Sequence, residues 1–239
     1  IIDDELNSLS SSLLSKELSY SYFDIFEIFL SEVTKKNGKI IACTQTPNNL
    51  FYIKDILQEY PHAKVINMVR DNRDVLLSQK NKWKRKFLGA NNIPLFESMR
   101  SFFNYHPFTT SFLWRSSLKL TDEFQDHPRV KIIRFEDLLS SPETLCREMC
   151  DFLSIEFNNC MLSVPNIGSS TEYDKSKLLI DSTKVFKWKK GGLNNAEIFI
   201  TQLISNTFMK KYGYKKKDFL FLQKAIVIIH IRYCQFHHH

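Results

Sequence analysis

The sequence predicts an α/β fold in which a mostly parallel central sheet is flanked by helices. Short apolar segments rich in β-branched residues ("KIIAC", "KVINMV" and "RVKIIRF") are typical of strands, and they alternate with segments whose apolar residues recur at helical spacing. This alternation favours parallel pairing through helical crossovers. The 239 residues contain no internal repeat or low-complexity linker. We therefore expect a single domain over residues 1–236, with the histidines 237–239 as a purification-tag remnant.

The first sixty residues predict two helices separated by a strand and a loop. In "YFDIFEIFLSEVTKKNGK" the aromatic and aliphatic residues recur at helical spacing, and Gly38 is a typical C-terminal stop. "KIIAC" follows as a short buried strand, and Pro47 disfavours helix in the loop "TQTP". The second helix, "NNLFYIKDILQEY", takes Asn48 or Asn49 as its cap and ends before Pro61.

The middle of the chain predicts two further strands. "KVINMV" is the first, and "RDNRD" then turns the chain into a helix from about Val75 to Lys86. Residues 87–128 are aromatic-rich and less regular, although "FTTSFLWRSSLKLTDEF" favours a helix. "RVKIIRF" predicts the third strand.

Capping patterns mark the helices of the C-terminal half. "SSPETLCREMCDFL" predicts a helix capped by one of its two leading serines, with Glu143 completing a capping box. Residues 158–183 predict a long loop. "NNAEIFITQLISNTFMKKYGY" predicts the last helix, opened by Asn194 with Glu197 and closed by Gly213.

The composition favours an anionic ligand and a reducing compartment. A net charge of +7 and an isoelectric point of about 9.1 suit an anionic ligand, nucleic acid or an acidic surface. The five cysteines form no CxxC pair and no zinc spacing, which predicts small buried side chains in a reducing, cytoplasmic location. The apolar tail "FLFLQKAIVIIHIRYCQF" is interrupted by charge, so we expect it to pack on the core. Contact with a membrane surface or a partner is the alternative.

The strongest functional signal is a basic turn directly after a predicted strand. Residues 67–86 hold seven arginines and lysines against two aspartates. Ligands of open α/β sheets bind beyond the carboxyl ends of the strands, and Arg70 lies at such an end. The helix start would attract an anion, Arg70 can bind a phosphate through two N–H groups, and Ser78 and Lys82 follow on one helical face. On these residues alone, phosphate binding and a solvated basic face with Arg70 paired to Asp74 are equal alternatives.

Four ordered motifs resemble the sulfotransferase family. "AKVINMVRDNRDVLLSQKNKW" resembles the segment that binds the 3′-phosphate of the donor 3′-phosphoadenosine 5′-phosphosulfate (PAPS). "TQTPNNLFYIKDILQEYPHAKVI" resembles the K-T-P loop and the helix after it, and "VKIIRFEDLLSSPETLCREMCDFLSIEF" resembles the Y-E-D-L strand and helix. "STKVFKWKKGGLNNAEIFITQLISNTFMKKYGY" resembles the W-[RK] segment and terminal helix. Together they span about residues 38–214, and the pattern is most similar to protein-tyrosine sulfotransferases and their bacterial relatives.

The resemblance implies a fold, an activity and a set of site residues. The fold would be the P-loop-kinase-like sulfotransferase fold. The activity would be transfer of a sulfuryl group from PAPS, without a metal, to a hydroxyl of a carbohydrate, a tyrosine or phenol, or a small molecule. Arg70 and Ser78 would bind the 3′-phosphate with help from Lys82, and Lys187 would approach the cofactor phosphates. Ser170 would belong to a loop that closes over the nucleotide.

The sequence departs from the family pattern at catalytic positions. The Gly-rich 5′-phosphosulfate loop is not found, and we expect it to precede the first residue. The general base should lie between that loop and the K-T-P segment, where Asp3, Asp4 and Glu5 are present but none is marked as catalytic. Gln45 replaces the K-T-P lysine, which predicts slower turnover because a neutral amide stabilises transition-state charge less than a cation does. Phe135 replaces the usual tyrosine of Y-E-D-L.

Two other functions stay open. A catalytically impaired protein would bind the product adenosine 3′,5′-bisphosphate (PAP) without transferring a group, and Gln45 favours this alternative. A basic nucleic-acid-binding module would spread its cations over an exposed face, but "RDNRDV" places acids within that face. A phosphoryl-transfer enzyme of related architecture would need a Walker-type GKS or GKT, which the sequence lacks.

Overall fold

The computed structural model describes residues 7, 11, 19–88, 93–163, 180 and 184–219. The chain divides into two compact units, Ile1–Ala63 and Lys64–His239. The apolar tail and the histidine stub lie outside the described residues. The single-domain organisation stays a prediction.

The first helix of the first unit whose bounds the structure describes is the predicted one, α1 (Tyr22–Lys36). A capping box holds its start, because Ser21 Oγ accepts the Asp24 N–H at 3.2 Å and Asp24 Oδ2 accepts the Ser21 N–H at 2.8 Å. Gly38, at a φ of 60°, takes the left-handed conformation that ends the helix, as its position predicted.

The prediction of a strand at "KIIAC" is wrong. In the described chain this segment forms bends and irregular backbone, and Ile40 and Ile41 are 96% and 60% exposed. A β-branched run becomes a strand only where a neighbour completes its hydrogen bonds, and no described strand pairs with this one.

The second predicted helix is divided. A 3₁₀ helix, Pro47–Tyr52, precedes α2 (Ile53–Glu59). Thr46 occupies the cap position without a side-chain hydrogen bond, so the predicted asparagine caps lie inside the 3₁₀ helix instead.

The second unit contains a parallel pair of strands. β1 (Val65–Val69) pairs with β2 (Val130–Arg134) in register, with Val65 opposite Val130 and Val69 opposite Arg134. Both strands were predicted, and their parallel pairing confirms the α/β class. Parallel strands place their carboxyl ends at the same edge, so the residues after Val69 and Arg134 are neighbours.

Three described α-helices and one 3₁₀ helix lie in the crossover between the strands. α3 begins at Asn72 rather than near Val75, because Asp71 caps it by accepting the Arg73 N–H. The α-helix ends at Lys80, and a 3₁₀ helix continues the chain. The elements of the crossover are α3 (Asn72–Lys80), the 3₁₀ helix Lys82–Leu88, α4 (Leu95–Phe103) and α5 (Pro107–Asp122).

The described part of the chain after β2 is mainly helical. Its α-helices are α6 (Phe135–Ser140), α7 (Pro142–Leu153) and α8 (Asn195–Lys211), with 3₁₀ helices at Asn159–Leu162 and Lys187–Lys190. The capping box predicted at Asn194 and Glu197 is present. The one predicted before α7 is absent, because Ser140 belongs to α6 and its hydroxyl donates to the Asp137 carbonyl.

The core of the second unit lies between β1, α5 and α8. Val69, Trp114, Leu118, Met209 and Tyr214 form its central cluster. One face of β1 therefore packs on these helices. The helices in turn fix the backbone that follows the strand, since the Trp114 indole N–H donates to the Arg70 carbonyl at 2.9 Å.

Candidate anion-binding site

The first residue after β1 is a cation with unused hydrogen-bonding capacity. The Arg70 guanidinium lies 4.6 Å from the centre of the Phe135 ring, which follows β2 at the same sheet edge. Arg70 Nη2 makes a long contact of 3.4 Å to the Lys184 carbonyl and an ion pair of 3.8 Å to Asp74. Its Nε is buried without a partner, and its side chain is 27% exposed. Arg70 can therefore donate to an anion at this edge without losing a short hydrogen bond.

Asp74 is a buried carboxyl with one satisfied oxygen. Its Oδ1 accepts the Trp188 backbone N–H at 2.8 Å, whereas its buried Oδ2 has no hydrogen-bond partner. Burial raises the pKa of Asp74 to about 6, against the opposing effects of the Trp188 N–H and the Arg70 charge. Arg70 does pair with Asp74, as one alternative predicted, but the two charged groups are 3.8 Å apart.

The second arginine of "RDNRDV" points into the interior. Arg73 binds the Asp71 carboxylate twice, at 2.9 Å through Nε and 2.7 Å through Nη2. Its Nη1 donates to the Gln202 side chain and the Lys215 carbonyl at 2.9 and 2.8 Å, and its guanidinium lies 3.8 Å from the Trp188 ring centre. Arg73 is 1% exposed, so it ties α3 to α8 and is not available to a ligand.

The start of α3 is occupied by the protein's own carboxylates. Asp71 N–H donates to Glu136 Oε1 at 2.9 Å, and Arg73 N–H donates to Asp71 Oδ1 at 2.9 Å. Tyr214 donates its hydroxyl to the other Glu136 oxygen at 2.9 Å, and burial beside this carboxylate raises the pKa of Tyr214 far above its usual value. The N–H groups of Asp71 and Arg73 therefore already have protein acceptors, so anion binding at this helix start would depend on side chains.

A segment distant in sequence completes the surroundings of Arg70. The stretch 184–193 contacts Arg70 through the Lys184 carbonyl and Asp74 through the Trp188 N–H. Lys187 lies between these contacts and is half-buried. The structure thus places the predicted Lys187 segment against the predicted Arg70 turn.

The close approach of this segment has a local cause. Phe186 takes a φ of 51°, a left-handed conformation that a bulky side chain rarely adopts. Gly192, at a φ of 90°, packs so closely that an added Cβ would lie 2.6 Å from Leu77 Cδ1. Trp188 is buried in the cluster that contains Leu77, Ile198 and Phe219, so it anchors this part of the core.

The remaining predicted residues are not all brought together. Ser78 is half-buried on α3, one turn after Asp74. Lys82 follows the end of that helix, is exposed, and lines a separate cavity whose lining includes neither Arg70 nor Ser78. Gln45 is exposed in the irregular stretch of the first unit. Ser170 and the acidic candidates for the general base lie outside the described residues.

Metal-ligating clusters and membrane-spanning helices are both absent from the described residues. No group of three or more His, Cys, Asp or Glu side chains there could hold a metal ion. None of the helices in that part of the chain has the length and hydropathy needed to cross a bilayer. The cytoplasmic location stays a prediction.

Comparison with known proteins agrees with the motifs. A model of the sulfotransferase family matches residues 9–159. The solved structure of a sulfotransferase domain from the curacin biosynthetic pathway is similar in fold, with a TM-score of 0.55 and 17% identity over 91% of this chain and 76% of that one. A comparison with curated protein sequences finds no match. Because the family match covers more than half of the sequence, this chain belongs to the sulfotransferase family.

Proposed function

We propose that this chain transfers a sulfuryl group from PAPS to a hydroxyl of an acceptor. The observation that carries the proposal is Arg70, which lies where both strands end and keeps a buried Nε without a partner. An arginine with unused N–H groups at this edge suits a phosphate, which accepts two parallel hydrogen bonds from a guanidinium.

The surrounding residues fit a 3′-phosphate, with one opposing charge. Arg70, Ser78 and Lys187 would hold it, the last through the segment that already contacts Arg70 and Asp74. Asp74 lies 3.8 Å from Arg70 and would repel a phosphate when ionised. Because the pKa of Asp74 is already raised to about 6, a nearby anion would favour its protonated, neutral form, and the repulsion would be removed.

The chemistry places specific demands on this chain. When bound, PAPS supplies an activated sulfuryl group: a bond forms from the acceptor oxygen to sulfur, the sulfur–oxygen bond to the phosphate breaks, and PAP leaves. The acceptor proton passes to a general base, which is not identified among the described residues. Arg70 would orient the nucleotide. Gln45 would donate a hydrogen bond at the position where the family has a lysine.

The first experiment is calorimetric binding of PAP and adenosine 5′-monophosphate to the full-length protein. We expect PAP to bind more tightly and Arg70→Ala to remove the preference, with a loss of about tenfold to a hundredfold for a charge-assisted contact. Arg147→Ala is the matched control, because Arg147 is exposed and paired with Glu143 on α7. Equal affinity for both nucleotides in the parent would refute the proposed nucleotide site.

A second experiment separates an active enzyme from an impaired nucleotide-binding protein, the alternative that Gln45 favours. Gln45→Lys should raise the rate of PAP release with a phenol or sugar acceptor by about 10², the scale of one transition-state donor. Tight PAP binding with no transfer by either the parent or the variant would favour the impaired alternative. An unchanged, measurable rate would show that another group already supplies the charge.

The nucleic-acid alternative has little support in the basic run. Lys86 donates to the Ile93 carbonyl at 2.7 Å, and Arg85 is half-buried with its Nε hidden from solvent. Lys82 and Lys84 are exposed, so the run offers two exposed cations rather than a broad face.

A further inference from the structure

A polar cavity lies between the end of α3 and the helices α4 and α5. Its volume is about 140 Å³, well below that of a pocket for a whole drug-sized ligand, so it suits one substituent. The walls are Gln79, Lys82, Arg100, Ser101, Asn104, Tyr105 and Thr110.

The lining has a single sign of charge. All of its side chains are polar, two are cations and none is an acid. Lys82 has no hydrogen bond or ion pair to any described residue. Arg100 is paired with Glu97 through one nitrogen, at 2.6 Å, which leaves other guanidinium N–H groups to donate.

Two acids lie next to the lining: Glu97 pairs with Arg100 at 2.6 Å, and Glu197 is engaged by other partners. The Glu197 carboxylate accepts hydrogen bonds from Lys80 Nζ at 2.9 Å, from the Asn194 N–H at 2.7 Å and from the Tyr105 hydroxyl at 2.8 Å. Both of its oxygens are therefore engaged. Burial, reinforced by Glu197, holds the pKa of Tyr105 far above its usual value. The phenol therefore stays neutral and adds no negative charge to the wall.

We infer that this cavity binds an oxyanion, a carboxylate or a sulfate ester, carried by the acceptor. The inference rests on the proposed sulfuryl transfer to a hydroxyl acceptor and adds the acceptor's chemical class. It also gives Lys82 a role in acceptor binding in place of the predicted contact with the nucleotide; Arg70 and Ser78 do not line the cavity. Two cations and several neutral donors around a small space form a site for an oxyanion with adjacent hydroxyls.

The test compares two sugars that differ by one carboxylate. Binding of D-glucuronate, D-glucose, inorganic sulfate and PAP is measured by NMR titration and calorimetry on the full-length parent, Lys82→Gln and Arg100→Gln. Lys84→Gln is the matched control, because Lys84 is exposed on the same 3₁₀ helix but does not line the cavity. Tryptophan fluorescence confirms that each variant is folded.

The expected pattern has two parts. Glucuronate should bind more tightly than glucose and than sulfate, and each cavity substitution should weaken it about tenfold or more, with no effect of Lys84→Gln. PAP affinity should be unchanged by the cavity substitutions and lost only with Arg70→Ala.

Three results would overturn the inference. They are equal binding of the two sugars, sulfate binding as tightly as glucuronate, and loss of PAP affinity in Lys82→Gln. The first would mean that no oxyanion is recognised, and the second that the site takes a free anion only. The third would return Lys82 to the nucleotide site. Failure of the proposed function itself would appear separately, as equal binding of PAP and adenosine 5′-monophosphate.

Discussion

Replacing Asp74 by asparagine should stabilise the second unit in a pH-dependent way. Asp74 is 2% exposed, and burial raises its pKa to about 6 from an ordinary value of 3.8. Asparagine is nearly the same size, and its carbonyl can still accept the Trp188 N–H that Asp74 Oδ1 accepts at 2.8 Å. The substitution thus removes the buried charge and keeps the packing.

The sign follows from proton binding. Because the folded-state pKa lies above the unfolded value, the folded protein holds more protons between about pH 4 and pH 6. The contribution of Asp74 to the free energy of unfolding therefore falls as the pH rises through this window and is constant above it. The span from 3.8 to about 6 corresponds to about 3 kcal/mol. The stability difference, Asp74→Asn minus parent, should grow by that amount between acid and neutral pH.

Urea unfolding followed by tryptophan fluorescence measures this difference. Trp83, Trp114 and Trp188, the three tryptophans of the chain, all lie in the second unit, so the signal reports on that unit. Asp137→Asn is the control, because Asp137 is 53% exposed in its pair with Arg134 and should contribute less than about 1 kcal/mol at any pH. A stability difference that stays constant or shrinks as the pH rises would refute the assignment of a costly buried charge to Asp74.

Two further substitutions test the packing around the site. Gly192→Ala should destabilise the second unit by about 1 kcal/mol more than Gly191→Ala. Both glycines have positive φ, but only a Cβ at position 192 would lie 2.6 Å from a methyl group of Leu77. Equal urea midpoints of the two variants would contradict this contact. Arg73→Met should cost about 3 to 5 kcal/mol by leaving Asp71 buried and unpaired, whereas Arg147→Met, at an exposed pair, should cost less than about 1 kcal/mol. Similar losses in these two methionine variants would show that Asp71 regains solvent.

The sequence patterns located elements best where the signal was local. The capping box at Asn194 and the helical spacing of α1 depend on residues a few positions apart, and both are confirmed. The strand at "KIIAC" failed because strand formation depends on a partner that the segment itself does not encode. The helix α4 was not predicted, although its residues are amphipathic, because Pro94 at its cap position supplies no side-chain hydrogen bond and no capping pattern marks its start.

The site was predictable in outline and not in its division of roles. The strand–arginine–helix order correctly placed Arg70 at the edge where β1 and β2 end. It named Arg70 as the ligand-binding arginine but gave Arg73 no role, because the Arg73 partners Gln202 and Lys215 lie far away in the sequence. The role of Glu136, which caps the start of α3 across the sheet edge, was also missed. For the Arg73–Asp71 pair the sequence did contain a hint. "RDNRDV" has two aspartates and two arginines, and equal numbers of opposite charges suggest that they pair with each other.

This division of roles distinguishes the proposed phosphate site from a general cationic surface. Arg73 and Asp71 neutralise each other in the interior and fix the start of α3, so the turn keeps its shape without any ligand. Arg70 is held by a ring and a distant carboxylate, contacts that leave its hydrogen-bonding capacity largely unused. Loss of Arg73 should therefore remove stability, and binding only as a consequence, whereas loss of Arg70 should remove binding and leave stability nearly intact. A phosphate at this edge would then be recognised by one prepared side chain in a rigid frame, and not by the net charge of the chain.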